Sequence, residues 1–174
     1  AAMADEQFLV KKSDEGGVTK TQVLHLDRLA RAQEIIGIGR AAMRAAGNTV
    51  QWSPTGQAEA GITEDISLGR CYVMEDEGGI YGVFALVLGD DPTYAYIEGA
   101  WKDSSPYGTI HRIASDGTHR GVLGECVKWS MAQIPHLRID THEKNIPMQR
   151  CLAKNGFTRC GTIYLEDGDP RIAY

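Results

Sequence analysis

Residues 117–157 constrain the possible folds more than any other part of the chain. They begin with a loop, residues 117–124, that carries three glycines: Gly117, Gly121 and Gly124. The loop runs into a helical pattern whose apolar residues form one stripe: Val122, Leu123, Cys126, Val127 and Met131. A helix that starts beside small residues has free backbone N–H groups that an anion can approach. This segment therefore predicts a phosphate-type anion site.

A second, shorter helix follows and is marked at both ends. Asn145 is a good N-cap, Pro147 suits a first turn, and Gly156 is a typical C-terminal stop. Residues 107–115 alternate like a strand before the glycine loop, and residues 136–141 form another strand between the helices. A strand–helix–strand unit of this kind predicts that its two strands are parallel neighbours.

The glycine loop and the Asn145 helix resemble the two signatures of the GNAT superfamily of N-acetyltransferases, over roughly residues 70–174. The resemblance implies an α/β domain of α+β type, with a mixed, mostly antiparallel central sheet flanked by helices. It also implies acetyl-CoA as the cofactor, without a metal. Many relatives carry a tyrosine that protonates the departing thiolate where this chain has Leu152.

In this family the pantetheine arm of the cofactor adds to a strand edge like a short extra strand. By resemblance, the cofactor-binding residues are the end of the first strand, the loop, the helix start and the second N-cap: Ile113, Ala114, Ser115, His119, Arg120, Gly121, Val122, Leu123, Gly124 and Asn145. The alternative for the loop is an ordinary tight turn before a helix.

Acetyl transfer to an amine needs a base, because an alkylammonium group has a pKa of about 10.4. In many relatives this base is a glutamate four residues before the last residue of the strand, which here corresponds to His111. An imidazole is mostly neutral at pH 7 and can accept a proton. His111 could equally be a core histidine. Other candidates are Glu98, Asp140 and His142 for the base and Tyr164 for the acid.

The first half of the chain is less specific. It predicts a leader over residues 1–7, a strand over 8–10, a turn over 14–17 and a helical segment over 26–46 that is divided at Gly37 and Gly39. Residues 51–64 are expected to form a loop. Residues 70–74 and 80–88 predict a hairpin.

Residues 89–106 form a long connection, and such connections often carry function. This one contains Tyr94, Tyr96, Glu98 and Trp101, a mixture suited to a small cationic amine, although the aromatic rings could instead seal the core. Residues 157–165 and 171–174 predict the last two strands.

The composition fits one domain, residues 8–174, in a chain of 174 residues. A net charge of −5 argues against a nucleic-acid partner. No apolar run approaches the roughly 18 residues of a membrane helix, so we expect a cytoplasmic protein without a membrane partner. A homodimer is possible. The four cysteines lack C-x-x-C spacing and are expected to be reduced.

The sequence thus predicts an acetyl-CoA-dependent N-acetyltransferase that acts on a primary amine of a small molecule by direct attack. Two alternatives stay open. One is a non-catalytic acyl-CoA-binding or regulatory module, and the other is an acetyltransferase of protein N-termini.

Overall fold

The structure, a computed structural model, describes residues 9–12, 18–52 and 57–174. In chain order its strands and helices are β1 (Leu9–Lys12), β2 (Val18–Val23), α1 (Leu29–Ala45), α2 (Gln57–Ser67), β3 (Cys71–Asp76), β4 (Gly79–Leu88), β5 (Glu98–Gly99), β6 (Gly108–Ser115), α3 (Val122–Gln133), β7 (Leu137–Arg138), β8 (Asp140–Thr141), α4 (Ile146–Lys154), β9 (Gly161–Tyr164) and β10 (Pro170–Ala173). Short 3₁₀ turns occupy Leu26–Arg28 and Pro92–Tyr94.

The strands form two sheets, in the orders β1-β2-β3-β4-β6-β7 and β5-β9-β10-β8. Every pairing is antiparallel except that of β6 with β7, so the predicted mixed, mostly antiparallel architecture is confirmed. Strand β4 is buried on both faces because helices cover each side of the larger sheet. Its Val83 packs in the core that contains Ile35 of α1 and Ile62 of α2, and its neighbour Phe84 packs in the core of α3 and α4.

Several predictions for the first half are wrong. Helix α1 is continuous through Gly37 and Gly39. Gly39 faces inward, and because it has no side chain, Ala114 and Trp52 pack closely against it. An ideal Cβ on Gly39 would lie 3.0 Å from Ala114 Cβ and 3.3 Å from the Trp52 ring. Helix α2 occupies much of the predicted loop 51–64, and strand β2 was not predicted. The predicted leader and the turn over residues 14–17 lie outside the described residues.

The predicted strand 136–141 is divided between the two sheets. Strand β7 pairs in parallel with β6 only at Gly108–Leu137 and Thr109–Arg138. After Ile139 the chain enters the smaller sheet, where β8 pairs with β10. The predicted parallel neighbours are therefore confirmed at one end, and they separate at the other end into a V-shaped cleft. No helix in the described ranges is long and apolar enough to cross a membrane.

Candidate active site

The cleft between the separating strands has a volume of about 340 Å³. Residues 110–113 of β6 form one wall, and residues 139–141 form the other. The smaller sheet contributes Arg171, and Met148 of α4 also lines the space. The splay of the two strands thus creates a cavity that His111 lines.

Strand β6 contains a β-bulge inside this cleft. Ala85 of β4 pairs with His111 and Val83 pairs with Ala114, so Phe84 alone faces Arg112 and Ile113. Arg112 has a φ of 49°, which is unusual for a residue with a side chain. Because a bulge re-aims the side chains on either side of it, the local path of β6 determines where His111 points.

Helix α2 holds this bulge in place. The Asp65 carboxylate is fully buried and accepts two hydrogen bonds from Arg112, from Nε at 2.6 Å and from Nη2 at 2.9 Å. Arg70 Nε donates a third, at 2.8 Å. The Arg112 side chain passes over Gly61, where an ideal Cβ would lie 2.9 Å from Arg112 Cδ. A side chain at this position would displace Arg112 from its place in the ion pair.

His111 faces a carboxylate that the sequence did not single out. Its Nε2 lies 3.2 Å from Asp91 Oδ2. Burial would raise the pKa of Asp91, but hydrogen bonds from His111 and from the Thr93 hydroxyl and amide lower it to about 2. This value lies below that of an unfolded aspartate, about 3.9, so the interaction stabilises the fold above about pH 4 and is lost as the pH falls through about 2.

A second carboxylate, Asp140, faces the cleft from β8. Its Oδ2 accepts a hydrogen bond of 2.7 Å from the buried Tyr94 hydroxyl. Desolvation raises the pKa of Asp140, against the opposing effects of Tyr94, His111 and Arg171. Arg171 is itself buried and forms an ion pair with Asp169. The alternative base His142 is also buried, and burial lowers its pKa.

The predicted cofactor loop ends in an open helix start. Gly121 is the N-cap of α3 with a φ of 69°, and no side chain caps this end of the helix. Gly124 lies in the first turn, where an ideal Cβ would be 3.0 Å from Asn155 Oδ1. Arg120 is exposed beside this helix start. On β6, no strand in the described part of the chain pairs with the cleft-side edge of residues 110–115.

His119 anchors this loop to the β3–β4 hairpin. Its Nε2 lies 2.6 Å from Asp76 Oδ2, and its ring stacks on Tyr81 with 3.6 Å between centroids. Thr118 Oγ1 lies 2.7 Å from its Nδ1. Both ring nitrogens therefore have protein partners, so His119 fixes the path of the loop.

Asn145 is the N-cap of α4, as predicted, and its side chain is buried. Its Oδ1 accepts the Met148 amide at 3.3 Å, and its Nδ2 donates to Gln51 Oε1 at 3.1 Å. Gln51 Oε1 also accepts from the Asn48 side chain at 3.1 Å. Asn145 thus joins the segment after α1 to the start of α4. Its predicted contact with a cofactor stays a prediction.

The remaining predicted catalytic residues lie elsewhere. Glu98 on β5 and Tyr164 on β9 adjoin each other, and the hydrogen bond to Glu98 raises the pKa of Tyr164. Neither residue lines the cleft that contains His111. Leu152 is fully buried in the α3–α4 core, so this position presents no group that could act as an acid.

Two members of the predicted aromatic amine pocket, Tyr94 and Trp101, pack inward, whereas Tyr96 and Glu98 are exposed. Tyr94 is 2% exposed, and Trp101 packs against its ring and donates from Nε1 to its carbonyl oxygen at 3.0 Å. Arg138 lies between Trp101 and Tyr107, 4.2 and 4.0 Å from the ring centroids. These rings seal the core beneath the loop, because they bury more surface there than they would around a solvent-filled pocket.

No protein-family sequence model matches this chain, and no curated protein matches it by sequence. Among solved structures, a GNAT-family acetyltransferase from Streptococcus agalactiae 2603 shares 27% sequence identity, with a TM-score of 0.81. The alignment covers 94% of this chain and 96% of that chain. This chain is similar in structure to GNAT-family acetyltransferases over almost its whole length.

More distant GNAT structures share the fold. An acetyltransferase from Listeria monocytogenes 4b F2365 is 15% identical over 95% of this chain and 99% of that chain, with a TM-score of 0.68. The aminoglycoside N-acetyltransferase AAC(6')-Iy in complex with CoA is 14% identical over 88% of this chain and 96% of that chain, with a TM-score of 0.58. At these identities the likeness concerns the fold alone.

Two polar residues of this candidate site were missed by sequence reasoning, and each left a signal. Asp91 precedes Pro92 and Thr93, a typical helix-cap pattern that marks a fixed aspartate. Asp65 shares a helical stripe with Ala58 and Ile62, where a charged side chain must have a buried partner. Helix α2 had to be recognised before that second signal could be read.

Proposed function

We propose that this chain transfers an acetyl group from acetyl-CoA to a primary amine of a small molecule, by direct attack of the amine. The observation that carries the proposal is the cleft between β6 and β8, in which the His111–Asp91 pair lies beside an unpaired strand edge. A base next to a strand edge that can pair with an extended arm is the arrangement this reaction requires.

Acetyl-CoA fits two features of this chain. The cleft-side edge of residues 110–115 offers main-chain groups for the pantetheine arm, and the uncapped start of α3 offers amide N–H groups for the pyrophosphate. Arg120 adds a positive charge next to these amides. When bound, acetyl-CoA supplies an electrophilic thioester carbonyl.

We expect Gly121→Val to raise the dissociation constant of acetyl-CoA at least about tenfold. At a φ of 69° a side chain costs about 1–2 kcal/mol, and a β-branched one costs more, so the first turn of α3 moves and its amides lose their common direction. Arg120→Ala should have a smaller effect, because the amides supply most of the donors. Calorimetric titration with acetyl-CoA measures both.

Gly69→Val is the matched control. Gly69 has a φ of 66°, and no atom lies within 4 Å of its ideal Cβ, as is true of Gly121. It follows α2, away from the loop, so the backbone penalty should be similar while the affinity stays that of the parent. If folded Gly121→Val and Gly69→Val bind acetyl-CoA with equal affinity, the phosphate site does not lie at the start of α3.

In this proposal His111 takes a proton from the acceptor ammonium, which leaves a neutral amine to attack. The acceptor loses two protons overall. One goes to His111 and the other ends on the sulfur of CoA. Because Leu152 is buried and Tyr164 lies outside the cleft, solvent can serve as the acid, and a thiol with a pKa of about 8.5 is a tolerable leaving group.

The acceptor is proposed to be a small cationic amine, held by the carboxylates of the cleft. Asp91 and Asp140 face the cavity, whereas the cleft arginines are paired, Arg112 with Asp65 and Arg171 with Asp169. The unbalanced charge is therefore negative and attracts an ammonium group. A cleft of only about 340 Å³ also favours a small acceptor over a protein N-terminus.

We expect Asp140→Asn to raise KM for the amine about fivefold or more, with KM for acetyl-CoA unchanged. The asparagine keeps an oxygen for the Tyr94 hydroxyl, so only the charge is lost. The effect should shrink at high salt. Glu98→Gln is the comparison, because it removes an exposed charge outside the cleft. If KM for the amine rises in Glu98→Gln and not in Asp140→Asn, the amine binds at the 89–106 connection instead of in the cleft.

The direct test is thiol release after mixing the protein with acetyl-CoA and a panel of acceptors. The panel should contain cationic, neutral and anionic amines together with a short peptide bearing a free N-terminus. Turnover with a small cationic amine is the expected result. Binding of acetyl-CoA without turnover on any acceptor would support the non-catalytic module instead, and preference for the peptide would support an N-terminal acetyltransferase.

A further inference from the structure

Three hydrogen bonds hold the backbone and one carboxylate oxygen of Asp91 in place. Its backbone N–H donates to the Tyr107 hydroxyl at 2.8 Å. Its Oδ1 accepts from the Thr93 amide at 2.9 Å and from the Thr93 hydroxyl at 2.7 Å. These three bonds fix the backbone and one carboxylate oxygen, so the other oxygen, Oδ2, is aimed at His111 Nε2.

An ionised carboxylate can only accept hydrogen bonds, and a neutral imidazole carries one N–H. Asp91 is ionised at any ordinary assay pH, since its pKa is about 2. Nε2 of His111 must therefore carry the hydrogen. Among the described residues Nδ1 has no hydrogen-bond partner, so its lone pair is free for a substrate.

We infer that Asp91 is a positioning residue that fixes the Nε2–H tautomer of His111 and leaves Nδ1 as the atom that takes the proton from the acceptor amine. This inference rests on the proposed function, because it assumes that His111 is the base. When Nδ1 gains its proton, the ring becomes an imidazolium whose Nε2–H stays bonded to Asp91. Asp91 keeps its negative charge throughout and takes no proton itself.

The other charged groups of the cleft do not replace Asp91 in this role. Arg112 and Arg171 would oppose a second positive charge, and each already has a carboxylate partner. Asp140 interacts electrostatically with His111, but its Oδ2 is bonded to the Tyr94 hydroxyl. Asp91 is the carboxylate with a direct hydrogen bond to the ring in the described part of the chain.

The tautomer can be measured without any substrate. Nitrogen NMR of the histidine rings, with His111 assigned by comparison with His111→Ala, should show the Nε2–H form in the parent protein at pH values where the ring is neutral. In Asp91→Asn the side-chain amide can donate to Nε2, so the Nδ1–H form should appear and the reactive lone pair should be lost.

The kinetic arm uses the same variant. Asp91→Asn should lower kcat/KM about 10²-fold. Asp90→Asn removes the same charge from the exposed neighbouring residue and should change neither the tautomer nor kcat/KM. Thr93→Val should cause a smaller loss with the tautomer kept.

The outcomes separate this inference from the proposed function. An Nδ1–H tautomer in the parent, or an Asp91→Asn protein with the parent's tautomer and kcat/KM, would overturn the inference even if the protein acetylates amines. Full activity in His111→Ala would overturn the proposed base. The inference and the proposed function are both supported if Asp91→Asn changes the tautomer and lowers kcat/KM while Asp90→Asn does neither.

Discussion

His111→Ala is expected to lower kcat about 10²-fold and to leave the affinity for acetyl-CoA almost unchanged. The parent enzyme should show kcat/KM rising with pH on the acid side, because only the neutral imidazole can accept a proton from the acceptor. The variant should lose that limb. Its activity should instead rise slowly as more of the acceptor amine is deprotonated in solution. Thiol-release kinetics across the pH range, with calorimetric titration of acetyl-CoA, measures both quantities.

His136→Ala and His142→Ala are the controls. The His136 Nδ1 is bonded to Ser105 outside the cleft, so its removal should not alter the profile. His142 is buried, and its Nδ1 accepts the Lys144 amide at 3.0 Å, which makes it a poor base. An unchanged acid limb in His111→Ala would transfer the role to one of the other sequence-based candidates, Asp140 on the opposite wall, His142 or Glu98.

The parts of this fold that sequence reasoning predicted well are those determined by local signals. The ends of α4 are set by Asn145 and by the residues before Gly156, and the structure has the predicted side-chain cap. Helix α3 and the β3–β4 hairpin were also predicted, because each lies within one short window of sequence, although Met131 of the predicted α3 stripe is exposed. These elements were enough to identify the resemblance to the GNAT superfamily.

The parts that were missed depend on residues far apart in the chain. Gly61 reads as a weak helix position in the sequence, and its reason for being there is Arg112, which lies 51 residues later and crosses its surface. Tyr94 and Trp101 have the composition of a binding loop, and only packing against the smaller sheet shows that they face inward. Neither periodicity nor spacing can decide which side of a long connection is buried.

The second large effect is expected for Asp65→Ala, at the ion pair that holds the β6 bulge. Removing one partner of a buried pair leaves the other without compensation, so the free energy of unfolding should fall by about 3 kcal/mol. The activity should fall further than this loss explains, even at temperatures where the protein is folded. Without the ion pair to Asp65, the backbone of Arg112 can relax from its φ of 49°, and the path of β6 at His111 then changes as well.

A rescue experiment separates geometry from stability. Glycine adopts a φ of 49° without strain, so the double variant Asp65→Ala, Arg112→Gly should keep the bulge without the ion pair and recover much of the lost kcat. Glu59→Ala is the matched control on α2, because it removes an ion pair with Arg40 that does not involve β6. Its stability should fall while kcat per folded molecule is retained. If Asp65→Ala keeps the parent's kcat, or if the double variant is no more active than the single one, the bulge does not determine the position of His111.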